Sequence, residues 1–303
     1  MATNFRQGFW RLADPKISLA SVASMVLGAT AAAAAGPLAL GWLALTVLGI
    51  LAVETAKNAS GEVFDWDSGT DLRIRPEDRC PFSGGKRVLV DGVLSRGQTW
   101  AIAAGGYLLA VTAGLAIVAW REPAVLWFGV AGLALAYGYH APPARLSYRG
   151  LGELAVGLAY GPVICGGTYL VQRGALPTAV LWLSAPLGIL IAAFLVINEF
   201  PDFSADAQSG KRTLVVRLGR RRAALGFAAL GAAAAVVTAL LPLSGLPATV
   251  WLGLGAALRY LPAARLLLAH PEDTSRIVPA QAMALQAFLL YAVGASAGVL
   301  LGR

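Results

Sequence analysis

Charge is scarce in this sequence. Only 13% of its 303 residues are Asp, Glu, Lys or Arg, about half the share of an ordinary soluble domain. Hydrophobic residues make up 57%, more apolar surface than a soluble fold of this length can hide. Cysteine is scarcer still. Cys80, in a polar loop, and Cys165, in an apolar run, are too few for a disulfide framework or a zinc site, and both are read as reduced. The opening MATNFRQGFWRLADPK lacks a small-residue cleavage site after a short apolar core. No cleavable signal peptide is expected, and the first helix is expected to stay as an anchor. A net charge of +8 would suggest nucleic acid in a soluble protein. Here the charges lie between long apolar runs, as when lipid replaces water around helices, and no nucleic-acid partner is expected.

Those runs fall at 17–35, 38–57, 98–120, 123–140, 151–172, 178–200, 223–243, 247–268 and 278–301. Most approach the roughly 20 residues that cross a hydrocarbon core. The first two are separated at Gly36-Pro37, a pair that breaks a helix. All but three of the 24 Lys and Arg residues fall in one alternating set of connections; the exceptions are Arg121, Arg173 and Arg303. Basic residues collect on the cytoplasmic side. The chain is therefore expected to be all-α: one polytopic domain over 1–303, about nine transmembrane helices, N-terminus cytoplasmic and C-terminus outside.

Two cytoplasmic loops, at about 58–97 and 198–222, are longer than the rest. They follow the second and sixth spans, a spacing that hints at paired halves around a site. The second begins INEFPDFSADAQSGKRTLVVRLG. Its Asn198, Asp202 and Asp206 recur at i, i+4 and i+8, one helical face. Stacked oxygen side chains suit a hard cation such as Mg²⁺, which keeps waters and bridges to phosphate oxygens. Lys211 and Arg212 follow and supply charge for a phosphate. The first loop begins KNASGEVFDWDSGTD. Its Asn58, Glu62 and Asp65 again share a face. Gly69 is expected to end the helix, so that Asp71 reaches back from a loop. In the CPFSGGKRVLVDG stretch that follows, two glycines with Lys86 and Arg87 are suited to an anion. Two acidic clusters, each trailed by basic residues, fit a diphosphate clamped through magnesium with its apolar tail among the helices.

Other features read more plainly. Arg217 and Arg220 to Arg222 read as topology determinants, and His140 and His270 as interfacial residues. Trp10, Trp100, Trp120, Trp127 and Trp182 lie at or near span ends and read as an aromatic belt.

With these motifs in view, the chain resembles the UbiA superfamily of intramembrane prenyltransferases along nearly its whole length. Asn198, Asp202 and Asp206 match that family's second Asp-rich motif, and GKRTLVVRLG resembles the stretch after it. Three segments resemble the menaquinone branch, the 1,4-dihydroxy-2-naphthoate polyprenyltransferases: FDWDSGTD, SYRGLGEL (147–154) and GTYLVQRG (167–174). One departure stands out. That branch has Asn-Asp where this chain has Gly61-Glu62, which leaves open which residue of the first motif meets the metal.

The resemblance implies that Asp65, Asp71, Asp202 and Asp206 are catalytic and bind two Mg²⁺ ions, with Glu62 as a further metal-side carboxylate. Asn58 and Asn198 would assist. It implies an isoprenyl diphosphate and an aromatic acceptor as substrates in a bacterial inner membrane, with the site facing the cytoplasm. Lys211, Arg212, Arg145 and Arg149 are the candidate diphosphate partners. Tyr139 and Tyr148 would shield an allylic cation or orient the acceptor. Two other functions compete. A UbiA-type terpene cyclase would ionise the same substrate without an acceptor. A transporter would carry its ionisable residues at mid-membrane, whereas here the carboxylates gather at inner span ends.

Overall fold

With so little polar surface, the backbone must satisfy its own N–H and C=O groups, and helices do this locally. The computed structural model describes residues 4–302; Arg303, counted above with the outer basic residues, lies outside them. The helices are α1 (Phe5–Ala13), α2 (Pro15–Ala35), α3 (Leu40–Asp67), α4 (Arg96–Trp120), α5 (Val125–Gly138), α6 (Gly152–Leu158), α7 (Gly167–Arg173), α8 (Thr178–Gln208), α9 (Leu214–Leu218), α10 (Arg220–Leu240), α11 (Ala257–Ala269) and α12 (Thr274–Leu301). Among the described residues, eight helical bodies are long and apolar enough to cross a membrane: α2, α3, α4, Gly152–Arg173, α8, Arg220–Ser244, Ala248–Ala269 and α12. The apolar helix α5 has 14 residues, short of the roughly 20 a crossing takes.

The break at Gly36-Pro37 is present: α2 ends at Ala35, and Gly36 takes φ +151° before α3 begins. Two expected boundaries move. The second span does not stop at 57 but continues as helix through Asp67, and the sixth runs to Gln208. The loops expected at 58–97 and 198–222 thus begin about ten residues later. Hydropathy alone ends a span at the first polar residues. Here Asn58, Glu62 and Asp65 are buried and find hydrogen-bond partners in other segments of the chain, so the helix continues past them. At the other end, α4 starts where Ser95 and Gln98 exchange side-chain and backbone hydrogen bonds, a reciprocal cap.

α8 is the axis of the bundle. Its Leu183, Leu187, Phe194, Ile197 and Phe200 are buried against Leu27 of α2, Phe227 of α10, and Phe288 and Tyr291 of α12. Gly188 lets α6 approach, since a Cβ there would lie 2.4 Å from the carbonyl of Gly157; small residues permit such close crossings. Between α6 and α7 the chain widens into a π-helical turn, Ala159–Gly166, around Pro162. Proline lacks the N–H that a regular helix needs at that point. The Tyr160 carbonyl is taken up by Ser24 Oγ at 2.5 Å. The outer faces carry the opposite pattern. Leu108 and Trp127 are 69% and 73% exposed, tolerable where acyl chains rather than water cover them.

Candidate active site

The C-terminal ends of α3 and α8 face each other across a cavity of about 220 Å³. α3 contributes Asn58, Glu62 and Asp65 to its lining, and α8 contributes Asn198, Asp202 and Asp206. The helical period thus does what the sequence spacing implied, putting each set on one face. Past the turn at Gly69, with φ +77°, a short 3-10 helix, Asp71–Arg73, carries Asp71 back into the same cavity.

Lys211 bridges the two sets. Its Nζ is 3.1 Å from Asp65 Oδ2 and 3.9 Å from Asp206 Oδ1. Burial disfavours its charge, but Asp65 and Asp206 outweigh burial and hold its pKa well above the usual lysine value. Tyr148 donates to Asp65 Oδ1 at 2.7 Å. His140 Nε2 lies 3.7 Å from Asp65 Oδ2. Burial pushes the imidazole down to about 3, so it stays neutral. Asp71 is driven the other way: burial, then Asp65 and Glu62, raise its pKa well above the usual carboxylate range.

The Ser-Gly-Gly-Lys stretch folds over the cavity. Gly84 N–H donates to Asp202 Oδ2 at 3.1 Å. Gly85, at φ +73°, lies so close to Asp71 that a Cβ there would meet its Oδ1 at 2.7 Å. Lys86 is ion-paired with Asp14. Both oxygens of Glu62 accept backbone N–H groups, from Leu89 and Arg87, each at 3.1 Å. Asn58 Nδ2 donates to the Leu12 carbonyl at 2.8 Å. Glu62 and Asn58 therefore secure the overlying segment and α1 while lining the cavity.

The candidate cations separate. Lys211 lies in the cavity. Arg145 stacks its guanidinium 4.2 Å from the Tyr148 ring centroid. Arg149 is exposed and donates to the Pro143 carbonyl. Arg212 is exposed, and it is its backbone N–H that reaches Tyr148. Neither Arg149 nor Arg212 lines the cavity. Arg149 ends a short 3-10 helix, Leu146–Arg149, and Arg212 lies in the irregular segment before α9; both are exposed, which their closeness in sequence to Tyr148 and Lys211 conceals.

Three lining residues were missed as site residues. His140, read as interfacial, packs its ring against Gly61 so closely that a Cβ there would meet it at 2.5 Å. Lys57 and Glu199 also line the cavity. Lys57 stands at i−8 from Asp65, a signal the carboxylates overshadowed; Glu199 is hidden beside Asn198.

A second cavity, about 370 Å³ and mainly apolar, lies between α3, α4, α5 and the Gly152–Arg173 body. The two share Lys57, Tyr139, Val156 and Tyr160 in their linings, so a polar chamber is joined to an apolar one. Among the described residues, no three acidic, histidine or cysteine side chains close on one point. The protein alone makes no complete metal cage. The donors present still fit Mg²⁺, which is bound by one or two carboxylates plus waters and phosphate oxygens. Asp202 Oδ1 and Asn198 Oδ1 are buried oxygens without a hydrogen-bond donor, as oxygens held for a cation would be.

Fold and site together define an all-helical, multi-pass membrane protein with an acidic chamber above an apolar pocket. The model of the UbiA prenyltransferase family matches residues 21–301, and the chain belongs to that family. Among curated proteins it is similar to the 1,4-dihydroxy-2-naphthoate octaprenyltransferase of Mycobacterium tuberculosis, 31% identical over 80% of this chain and 79% of that one. It is 29% identical to the 2-carboxy-1,4-naphthoquinone phytyltransferase of Synechocystis over 58% of this chain. The match spans about half the length of that relative, 54%, and 53% of a UbiA domain-containing protein of Dictyostelium discoideum. Among solved structures, a UbiA homolog from Aeropyrum pernix superposes with a TM-score of 0.67 at 20% identity, covering 99% of both chains. One from Archaeoglobus fulgidus, bound to GPP and Mg²⁺, gives 0.59 at 16% identity, covering 96% of this chain and 99% of that one. These structural likenesses establish the shared fold.

Proposed function

We propose that this protein transfers an isoprenyl group from a polyprenyl diphosphate to an aromatic acceptor of the hydroxynaphthoate class, inside the membrane and with Mg²⁺. The observation that carries the reading is the joined pair of chambers: four aspartates around a polar cavity that continues into an apolar one of about 370 Å³. That shape and charge match a ligand with a polyanionic head and a hydrocarbon tail. The naphthoate substrates in its relatives' names and the GPP and Mg²⁺ held by the A. fulgidus homolog support it.

In this reading Asp65 and Asp71 on one side and Asp202 and Asp206 on the other hold two Mg²⁺ ions, with Glu62, Asn58 and Asn198 completing the polar wall. The metal supplies positive charge that offsets the negative charge growing on the departing diphosphate. Lys211 presents its ammonium to the same oxygens, and Arg145 reinforces it through Tyr148. As the C–O bond breaks, the allylic carbon develops positive charge. The face of Tyr139, which lines both chambers, stabilises it, and apolar walls keep water away. Tyr148, whose ring is covered by Arg145, acts through its hydrogen bond to Asp65. The acceptor ring then bonds to that carbon and loses a proton.

We read the chain as one domain with nine crossings in a bacterial plasma membrane, the short α5 counted among them. Its acidic chamber is read as facing the cytoplasm, a reading supported by the basic connections on that side.

The test is an assay of detergent-purified protein with geranylgeranyl diphosphate, Mg²⁺ and 1,4-dihydroxy-2-naphthoate, followed by mass spectrometry and pyrophosphate detection. A prenylated naphthoquinoid product supports the reading. Pyrophosphate with a terpene hydrocarbon or alcohol instead would make the protein a cyclase. No pyrophosphate with any chain length or acceptor would remove the diphosphate reading altogether.

A further inference from the structure

The two chambers meet at a neck lined by Lys57, Tyr139, Val156 and Tyr160. A substrate with its diphosphate among the aspartates and its tail in the apolar chamber has to pass its first carbon through this neck. An acceptor that attacks that carbon must therefore stand against the same residues. This step rests on the transferase reading above.

Among the described residues, Lys57 is the only cation lining both chambers. Its Nζ stands 5.6 Å from the Tyr139 ring centroid; among the described residues it closes no ion pair, and the carboxylates near enough to act on its charge are Glu54 and Asp14. The other two lysines of the polar chamber are committed, Lys86 to Asp14 and Lys211 to Asp65. Glu54, one helical turn before Lys57, is committed as well. Its Oε2 accepts from Ser21 at 2.7 Å and its Oε1 from Tyr160 at 3.3 Å. A lysine kept inside a membrane protein without a closed ion pair is costly as a cation, and an arriving anion would offset that cost. The anion already assigned, the diphosphate, has Lys211 and the metal donors of the polar chamber as its partners. The acceptors in two relatives' names, 1,4-dihydroxy-2-naphthoate and 2-carboxy-1,4-naphthoquinone, each carry a carboxylate on the ring.

We propose that Lys57 is the acceptor-specificity residue: it binds the ring carboxylate of a carboxylated aromatic acceptor at the neck, while Tyr139 and Tyr160 flank the ring. The carboxylate fixes which ring edge faces the allylic carbon. An acceptor that lacks it loses the ion pair and the orientation together.

The experiment compares two acceptors in one preparation, 1,4-dihydroxy-2-naphthoate and 1,4-naphthalenediol, with geranylgeranyl diphosphate and Mg²⁺. The ratio of their kcat/KM values does not depend on how much of the protein is folded. The wild-type protein should prefer the carboxylated acceptor by about tenfold or more, the scale of one charge-assisted contact. In Lys57→Met and Lys57→Gln the preference should collapse toward unity, through a raised KM for the carboxylated acceptor and not for the diphosphate. Lys57→Arg should restore much of it. A Lys57→Met variant that keeps the wild-type preference overturns the proposal. So does one whose main defect is a raised KM for geranylgeranyl diphosphate, which would make Lys57 a diphosphate ligand. A wild-type protein that prenylates neither acceptor overturns the transferase reading itself, a failure visible before any variant is made.

Discussion

Lys211 Nζ and Asp65 Oδ2 lie 3.1 Å apart, and this ion pair ties the C-terminal end of α3 to the segment that follows α8. It is largely buried, with side-chain exposures of 14% and 13%. Each charge therefore depends on the other. Removing one partner of such a pair leaves the other uncompensated, at a cost of roughly 3–5 kcal/mol. Lys211→Met is expected to lower the thermal unfolding temperature in detergent and to abolish turnover. Lys211→Arg should recover more stability than activity, because the larger guanidinium keeps the charge but not its position.

Asp202→Asn tests the metal side without emptying the site. The substitution keeps the volume and an oxygen, and it removes the charge. Turnover should fall by about 10²–10³-fold, the scale seen when one group that stabilises developing charge is removed. Insertion into the membrane and thermal unfolding should stay close to wild type. Normal turnover in this variant would mean that Asp202 holds no metal.

Asp71 gives the pH dependence. Its pKa is raised by burial and by Asp65 and Glu62, so it holds a proton at pH values where an exposed carboxylate has lost one. Proton and Mg²⁺ compete for the same oxygens. Apparent Mg²⁺ affinity should therefore rise with pH and level off once Asp71 is deprotonated. Asp71→Asn should flatten that slope. A wild-type affinity that falls as pH rises would contradict the assignment.

Arg149 tests what the geometry excludes. It is exposed and turned toward Pro143, and surface substitutions of this kind change stability by about 0.5 kcal/mol or less. Arg149→Ala should change kcat/KM by less than about twofold, in contrast with Lys211→Met.

Much of the site was legible because helices repeat. Asn198, Asp202 and Asp206 needed only the 3.6-residue period to be placed together, and the motif match lay on the same residues. The extent of α3 was not legible. Its last ten residues contain Asn58, Glu62, Asp65 and Asp67, and on hydropathy they look like a loop. Their partners come from far along the chain: Leu12 for Asn58, Arg87 and Leu89 for Glu62, Tyr148 and Lys211 for Asp65, Arg96 for Asp67. His140 was obscured in the same way. It sits just past an apolar run, as an interfacial residue does, yet Gly61 leaves it a space beside Asp65. A side chain at position 61 would meet the His140 ring, so the glycine and the histidine position depend on each other.

The most direct test of the account is a structure of the protein with Mn²⁺ in place of Mg²⁺ and an unreactive isoprenyl thiodiphosphate, with the metal located by its anomalous signal. The account places metal density between Asp65 and Asp71 on one side and Asp202 and Asp206 on the other. It places the diphosphate within reach of Lys211 and the tail running past Lys57 into the chamber between α3, α4 and α5. Metal bound away from these aspartates, or a tail that leaves by another route, would contradict it.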